Sequence, residues 1–381
     1  KDSLLSTALS IHRLMARHEQ HLLWLFLGHQ QLSRQWLQEE ADTDPEFADW
    51  LALQLRVPRP SERLELMAPH LRQQLTGWRL YYQGDYQSAV EQFQHAWQAV
   101  LNDQSDNPCA IDLALGLGKV YTRSGHWGQA RDWILHSLAL ARAQHRLFAV
   151  TEGYGALGEL LLRAGHAKAA QACMSSAYQL LPPGSGQQAK QLNYLASTLM
   201  RNGASLRAES LLMTALHMAH DQGDSDSVWH ALARLQFLQL QSENGGDDVM
   251  QSMAAYLPEA RTPVACGLLQ IGRALWQVRQ GQPGEAAQSL QQALADLGPL
   301  LPLERLWAQR LHGALLGQPC SIEADLHRWA DIKPVSPPAM VHVMDRTWAD
   351  LPLATANGFA RLQQPLGSLE QEAQARTAFF I

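Results

Sequence analysis

The residues with the clearest chemical capacity form a column of arginines. Arg123, Arg163, Arg201 and Arg279 each stand two residues before a glycine (Gly125, Gly165, Gly203 and Gly281), and Tyr82 takes that place before Gly84. A guanidinium is permanently charged and presents a planar fork of donors, so it grips a carboxylate or phosphate through two parallel hydrogen bonds. Lys119 lies one helical turn before Arg123, and Lys190 and Asn193 precede Arg201. Brought to one surface, these side chains would create a local positive field suited to an acidic peptide segment or a free C-terminus. The column also has a plainer reading, because a cation at a helix C-terminus interacts favourably with the macrodipole by ~0.3–1 kcal/mol. Glu152 and Glu159 would neutralise part of it, and Trp78, Tyr81 and Tyr82 add an aromatic edge that either grips an apolar side chain or packs in the core.

No other chemistry emerges. Gly116-Leu-Gly118 falls inside a predicted helix rather than a strand-to-helix turn, and Gly184-Ser-Gly186 lacks the strand elbow of a hydrolase nucleophile. His12, His18, His21 and His29 cluster near the start, but His18-Glu-Gln-His21 is not a zinc-protease motif and leaves further ligands unnamed. His126 and His166, each just after a turn glycine, are expected to face solvent. Cys109, Cys173, Cys266 and Cys320 form no Cys-x-x-Cys pair and read as small buried hydrophobes. No catalytic residue, metal site or cofactor is predicted.

The bulk numbers narrow the partners. A formal charge of −6, from 30 Lys+Arg against 36 Asp+Glu, provides no global field for nucleic acid or anionic lipid. The densest apolar run, Leu22 to Leu27, is far short of the ~20 residues a membrane span needs. With 46% hydrophobic and 17% charged residues, the chain can bury a large core. A cytoplasmic location is expected; because the chain begins at Lys1 rather than Met, a removed signal or anchor would make it periplasmic.

The elements that must position the arginines repeat along the chain. From Gly84 to Gly125, Gly165 and Gly203 the period is about 40 residues, and Gly281 follows after one irregular unit. Five residues after these glycines stand Ala89, Ala130, Ala170, Ala208 and Ala286, and twelve after them Ala96, Ser137, Ala177, Ala215 and Ala293. Seven before them stand Gly77, Gly118, Gly158, Ala196 and Ala274. Three columns of small residues let antiparallel helices cross closely, and each pair then buries its remaining apolar stripe on the next.

This pattern, with an aromatic such as Tyr121 between Gly118 and Gly125, resembles the tetratricopeptide repeat family over roughly residues 71–300, in the longer units of about 40 residues found in bacterial regulators. The resemblance implies an all-α fold of tetratricopeptide-like helical hairpins in a right-handed superhelix, an α-solenoid whose first helices line the concave face. Residues 1–70 read as a helical block, a degenerate repeat or cap, with Asp44-Pro45 opening one of its helices. Residues 301–330 read as an irregular terminal pair and 331–381 as a proline-containing segment. Some family members hold a chaperone's acidic C-terminus in a clamp of Lys, Asn, Asn, Lys and Arg. Lys119, Asn193 and Arg201 have that chemistry, but the second asparagine and the register do not match.

The function expected is a non-enzymatic protein- or peptide-binding scaffold or adaptor. Its concave face would carry Trp78, Tyr82, Lys119, Arg123, Arg163, Asn193, Arg201 and Arg279. The alternative is a sensor region of a larger regulatory protein, like the helical repeats of LuxR-type ATP-dependent activators, binding a small molecule or an inhibitory protein.

Overall fold

The structure is a computed structural model. It describes residues 30–39, 48, 51, 69–102, 109–240, 254–256, 262–318 and 335–337. The His cluster, the Asp44-Pro45 start, the polar stretch 242–248 and the helix expected over 322–329 lie outside these residues.

The described residues hold thirteen α-helices, a short 3₁₀ turn at Ala254–Tyr256 and no strand. The helices are α1 (Gln30–Glu39), α2 (Pro69–Gln83), α3 (Tyr86–Asn102), α4 (Cys109–Arg123), α5 (Trp127–Ala143), α6 (Leu147–Arg163), α7 (Ala167–Leu180), α8 (Gln188–Arg201), α9 (Ser205–Asp221), α10 (Ser225–Leu240), α11 (Pro263–Arg279), α12 (Pro283–Leu297) and α13 (Pro302–Leu315). No helix among the described residues is long and apolar enough to cross a membrane. Consecutive helices pair as hairpins (α2 with α3, α4 with α5, α6 with α7, α8 with α9, α11 with α12), and each hairpin packs on the next. Helices α2, α4, α6, α8 and α10 also touch one another, which makes them the inner row of an α-solenoid.

The small-residue columns explain the closeness of the pairs. All ten residues of the two columns after the turn glycines are fully buried. Before the turns, Gly77 faces the Phe93 ring, Gly118 faces Ile134 and Gly158 faces Met174, at distances where a β-carbon would fall 2.8, 2.5 and 2.6 Å from those side chains. The hairpin turns need a left-handed residue, and Gly84, Gly125, Gly165, Gly203 and Gly281 supply it with φ between 72° and 91°.

The end of the array folds back on its beginning. The α2–α3 turn lies against the α12–α13 connection, where a β-carbon on Gly84 would fall 2.9 Å from the Pro299 carbonyl. Leu301 adopts a left-handed conformation (φ 50°) that bulky residues rarely take, and its backbone hydrogen-bonds the Tyr86 hydroxyl. This bend starts α13, with Pro302 in its first turn, so that Leu301, Pro302, Leu303 and Glu304 are all buried against the inner row.

Replacing Gly118 by Ala is expected to destabilise the protein by about 1–3 kcal/mol, because Ile134 and the Ala130 carbonyl crowd the new methyl group. At Gly128, in the first turn of α5, a methyl group would meet no atom within 4 Å, so Gly128→Ala should leave the thermal midpoint unchanged or raise it. Thermal unfolding of the two single variants beside wild type checks both.

Candidate functional site

The inner row carries a stripe of polar side chains at a fixed register. Counting thirteen, six and two residues before each turn glycine selects Leu71, Trp78 and Tyr82 on α2. The same positions are Asp112, Lys119 and Arg123 on α4, Glu152, Glu159 and Arg163 on α6, and Lys190, Ser197 and Arg201 on α8. Separations of seven and four place each trio on one helix face. Stacking the hairpins therefore sets charges of adjacent helices side by side.

Each inner carboxylate of α6 bridges two cations. Glu152 accepts from Lys119 Nζ at 3.2 Å and from Lys190 Nζ at 3.1 Å, joining α4, α6 and α8. Glu159 lies 2.9 Å from an Arg123 Nη and 3.3 Å from Arg163 Nε. Arg163 then reaches Glu304, in the first turn of α13, at 2.7 Å. That contact spans 141 residues and ties the end of the array to its third hairpin. Side-chain exposures of 23% for Lys119, 18% for Arg123 and Arg163 and 35% for Lys190 mean that these groups are enclosed by the coil yet still meet water. They line the inner face of the array, the channel of the helical coil.

Burial opposes ionisation of Glu152, but the ammonium groups of Lys190 and Lys119 prevail and hold it at about 2. Glu159 is likewise disfavoured by burial and brought down to about 2 by Arg123 and Arg163. Desolvation works against the charge on Arg123, Arg163, Lys119 and Lys190, yet their carboxylate partners raise all four above their ordinary values.

Two features flank this core. At the α2 end, Asp112 accepts hydrogen bonds from the Trp78 indole at 2.7 Å and from the Gln74 amide, and burial raises its pKa. The Lys119 ammonium sits 5.6 Å from the centre of the Trp78 ring, whose face attracts cations. At the α10 end, the Arg234 guanidinium lies over the Tyr194 ring at 5.5 Å. Its Nε donates to Ser197 Oγ at 2.6 Å and one Nη to the His230 carbonyl at 3.2 Å. Among the described residues no carboxylate comes within ion-pair distance of Arg234, and burial lowers its pKa.

The residues expected from sequence are placed as follows. Trp78, Lys119, Arg123 and Arg163 come together in the channel, and Tyr82, half exposed, stacks on Trp78 at 6.1 Å. Arg201 ends α8, and Arg279 is exposed at the end of α11, where it hydrogen-bonds the Leu240 carbonyl. Asn193 is buried, with its amide donating to the Ser227 carbonyl at 3.0 Å. That hydrogen bond ties α8 to the first turn of α10. His126, expected in solvent, is half-buried with its Nδ1 3.1 Å from Ser124 Oγ and its ring against Tyr121. Sequence reading did not single out Asp112, Tyr194, Arg234 or Glu304. Asp112 was marked by its place thirteen before a turn glycine; Arg234 has no such glycine after it.

The paired carboxylates set a pH dependence. Their folded pKa values lie below the ordinary 4.5, so the stability they contribute is complete above that value and is lost as pH falls from about 4.5 towards 2. Asp112 acts in the opposite sense, since its raised pKa makes its protonation favourable on acidification. With two groups against one, the thermal midpoint should drop through this window, and the drop should shrink in a Glu152→Gln/Glu159→Gln variant.

No protein-family model matches the chain, and no curated protein matches it. Among solved structures, the chain is similar to a Rap protein crystallised in complex with competence and sporulation factor. The two share 11% identity with a TM-score of 0.54, over 84% of this chain and 99% of the other. At that identity the likeness establishes the helical-repeat fold.

Proposed function

We propose that this chain is a non-enzymatic protein- or peptide-binding module of the tetratricopeptide kind, and that its partner enters the inner channel with an acidic group. The observation that carries this reading is the imbalance of charge in the channel. Among the described residues, Lys119, Arg123, Arg163, Lys190 and Arg234 are set against Glu152, Glu159 and Glu304, with Asp226 acting on Arg234 from beyond ion-pair distance and Asp112 disfavoured from ionising by burial. A desolvated guanidinium without a counter-ion costs several kcal/mol, and an incoming carboxylate relieves that cost. Arg234 keeps donors of its fork available, and Lys190, the most exposed of the paired cations, stands on the neighbouring helix.

Arg123 and Arg163 have a different part. Both are engaged on Glu159, and Arg163 also holds α13, so they shape the channel and set its field rather than waiting for a ligand. The Rap protein with a similar fold is complexed with competence and sporulation factor, so a solenoid of this kind accommodates a bound partner. No feature of the described residues favours the sensor reading over the docking one.

Selection of peptides from a random phage-displayed library on the full chain tests this. The selected sequences should be rich in Asp and Glu, and their binding should weaken at least about tenfold in Arg234→Gln and in Lys190→Ala, a loss typical of one charge-assisted pair. Selected peptides without acidic enrichment, or binding unchanged in both folded variants, would contradict the reading.

A further inference from the structure

A distant segment of the chain is hydrogen-bonded to the second hairpin, apart from the ion pairs of the inner face. Val335, the first of the described residues 335–337, which take no helical or turn conformation, contacts that hairpin. Val335 is held through its backbone: its N–H donates to the Tyr121 hydroxyl at 3.1 Å, and its carbonyl accepts from the Trp133 indole at 2.7 Å. These contacts bridge 214 and 202 residues. Val335 is itself 41% exposed, so the groove reads main chain rather than side chain.

The receptor is built from buried groups. Tyr121 and Trp133 are 0% and 1% exposed, and the Tyr121 hydroxyl is further fixed by the Gln94 amide at 3.3 Å. Trp97 on α3 meets Trp133 edge-to-face at 5.1 Å, and His136 stands 5.4 Å from Trp97 and 6.1 Å from Trp133. Burial lowers the His136 pKa, so this wall carries no competing charge near neutrality. An aromatic wall with an indole donor aimed at a main-chain carbonyl suits an extended, proline-bearing segment, whose stiffness lowers the entropy of ordering. The seated residues belong to such a sequence, Pro334-Val-Ser-Pro337-Pro338. Ser336 precedes a proline and is therefore confined to extended backbone. Valine is the one of these five, besides Ser336, able to donate an N–H, and it sits where the donor is used.

We propose that the groove formed by Trp97, Tyr121, Trp133 and His136 is a binding site for an extended, proline-flanked segment of a partner protein, and that residues 335–337 of this chain occupy it in cis as a displaceable strap. The proposal is independent of the acidic ligand of the channel. A tethered strap competes at high effective concentration, so wild type is self-occupied and a partner must displace the strap.

The test uses the full chain and a fluorescein-labelled peptide with the sequence of residues 332–339. Val335→Pro removes the N–H that Tyr121 accepts and releases the strap; Val335→Ala alters only an exposed side chain. By fluorescence anisotropy the peptide should bind the Val335→Pro chain about tenfold or more tightly than wild type or Val335→Ala, because the intramolecular competitor is gone. A peptide carrying Pro in place of Val should not bind. Equal binding to wild type and Val335→Pro, or no binding to a folded Val335→Pro chain, overturns the proposal. A concentration-dependent dimer of wild type that Val335→Pro abolishes also overturns it, since the occupant would then be a second copy. Amide exchange on wild type gives a readout that needs no variant. Exchange at Val335 should be slow and should accelerate in excess peptide; protection unaffected by the peptide overturns the proposal.

Discussion

The structure depends on two carboxylates shared between helices. Glu152 and Glu159 project from α6 into the channel, and each is gripped by cations from two different positions of the inner row or its neighbour. A carboxylate desolvated without partners would neutralise itself; here the surrounding ammonium and guanidinium groups keep both ionised far below their ordinary range. The apolar interface between hairpins is non-directional, so it fixes distance better than register. The shared carboxylates supply the register, because α4, α6 and α8 must align for both bridges to close at once.

The same network ties the end of the array back to its inner row. Arg163 links Glu159 to Glu304, and Glu304 arrives there only because the chain bends at Leu301 to start α13 beside the first hairpin's turn. In the first turn of α13, Glu304 also faces the positive end of that helix dipole, which favours its charge. Contacts at Gly84 and Tyr86 complete the closure. The channel is thus bounded by inner helices along its length and by α13 at one end. Arg234, at the α10 side, has a tyrosine ring and neutral acceptors where Arg123 and Arg163 have carboxylates.

Much of the fold was legible because its causes are local. Left-handed turns require glycine, close crossings require small residues, and both recur at a readable period; Gly84, Gly118 and Ala130 could be placed from sequence for these reasons. The site was legible only in part. Arg123 and Arg163 stood out by their distance from a turn glycine, and Glu152 and Glu159 were recognised as their neutralisers, which the ion pairs match. Asn193 is buried on the Ser227 carbonyl of α10, a contact between hairpins that its own sequence neighbourhood does not announce. Glu304 and Val335 were invisible because their contacts span 141 and 202 residues, with no repeat to predict them.

The central claim is that the channel holds a surplus of desolvated positive charge with an acceptor-seeking guanidinium at Arg234. Calorimetric titration of the full chain with a hexaglutamate peptide addresses it most directly, at low and at physiological salt. The account predicts saturable binding that weakens as salt rises and is lost in Arg234→Gln, as expected for charges screened over about 10 Å. Absence of binding at low salt, or binding that neither salt nor the Arg234 substitution alters, would contradict it.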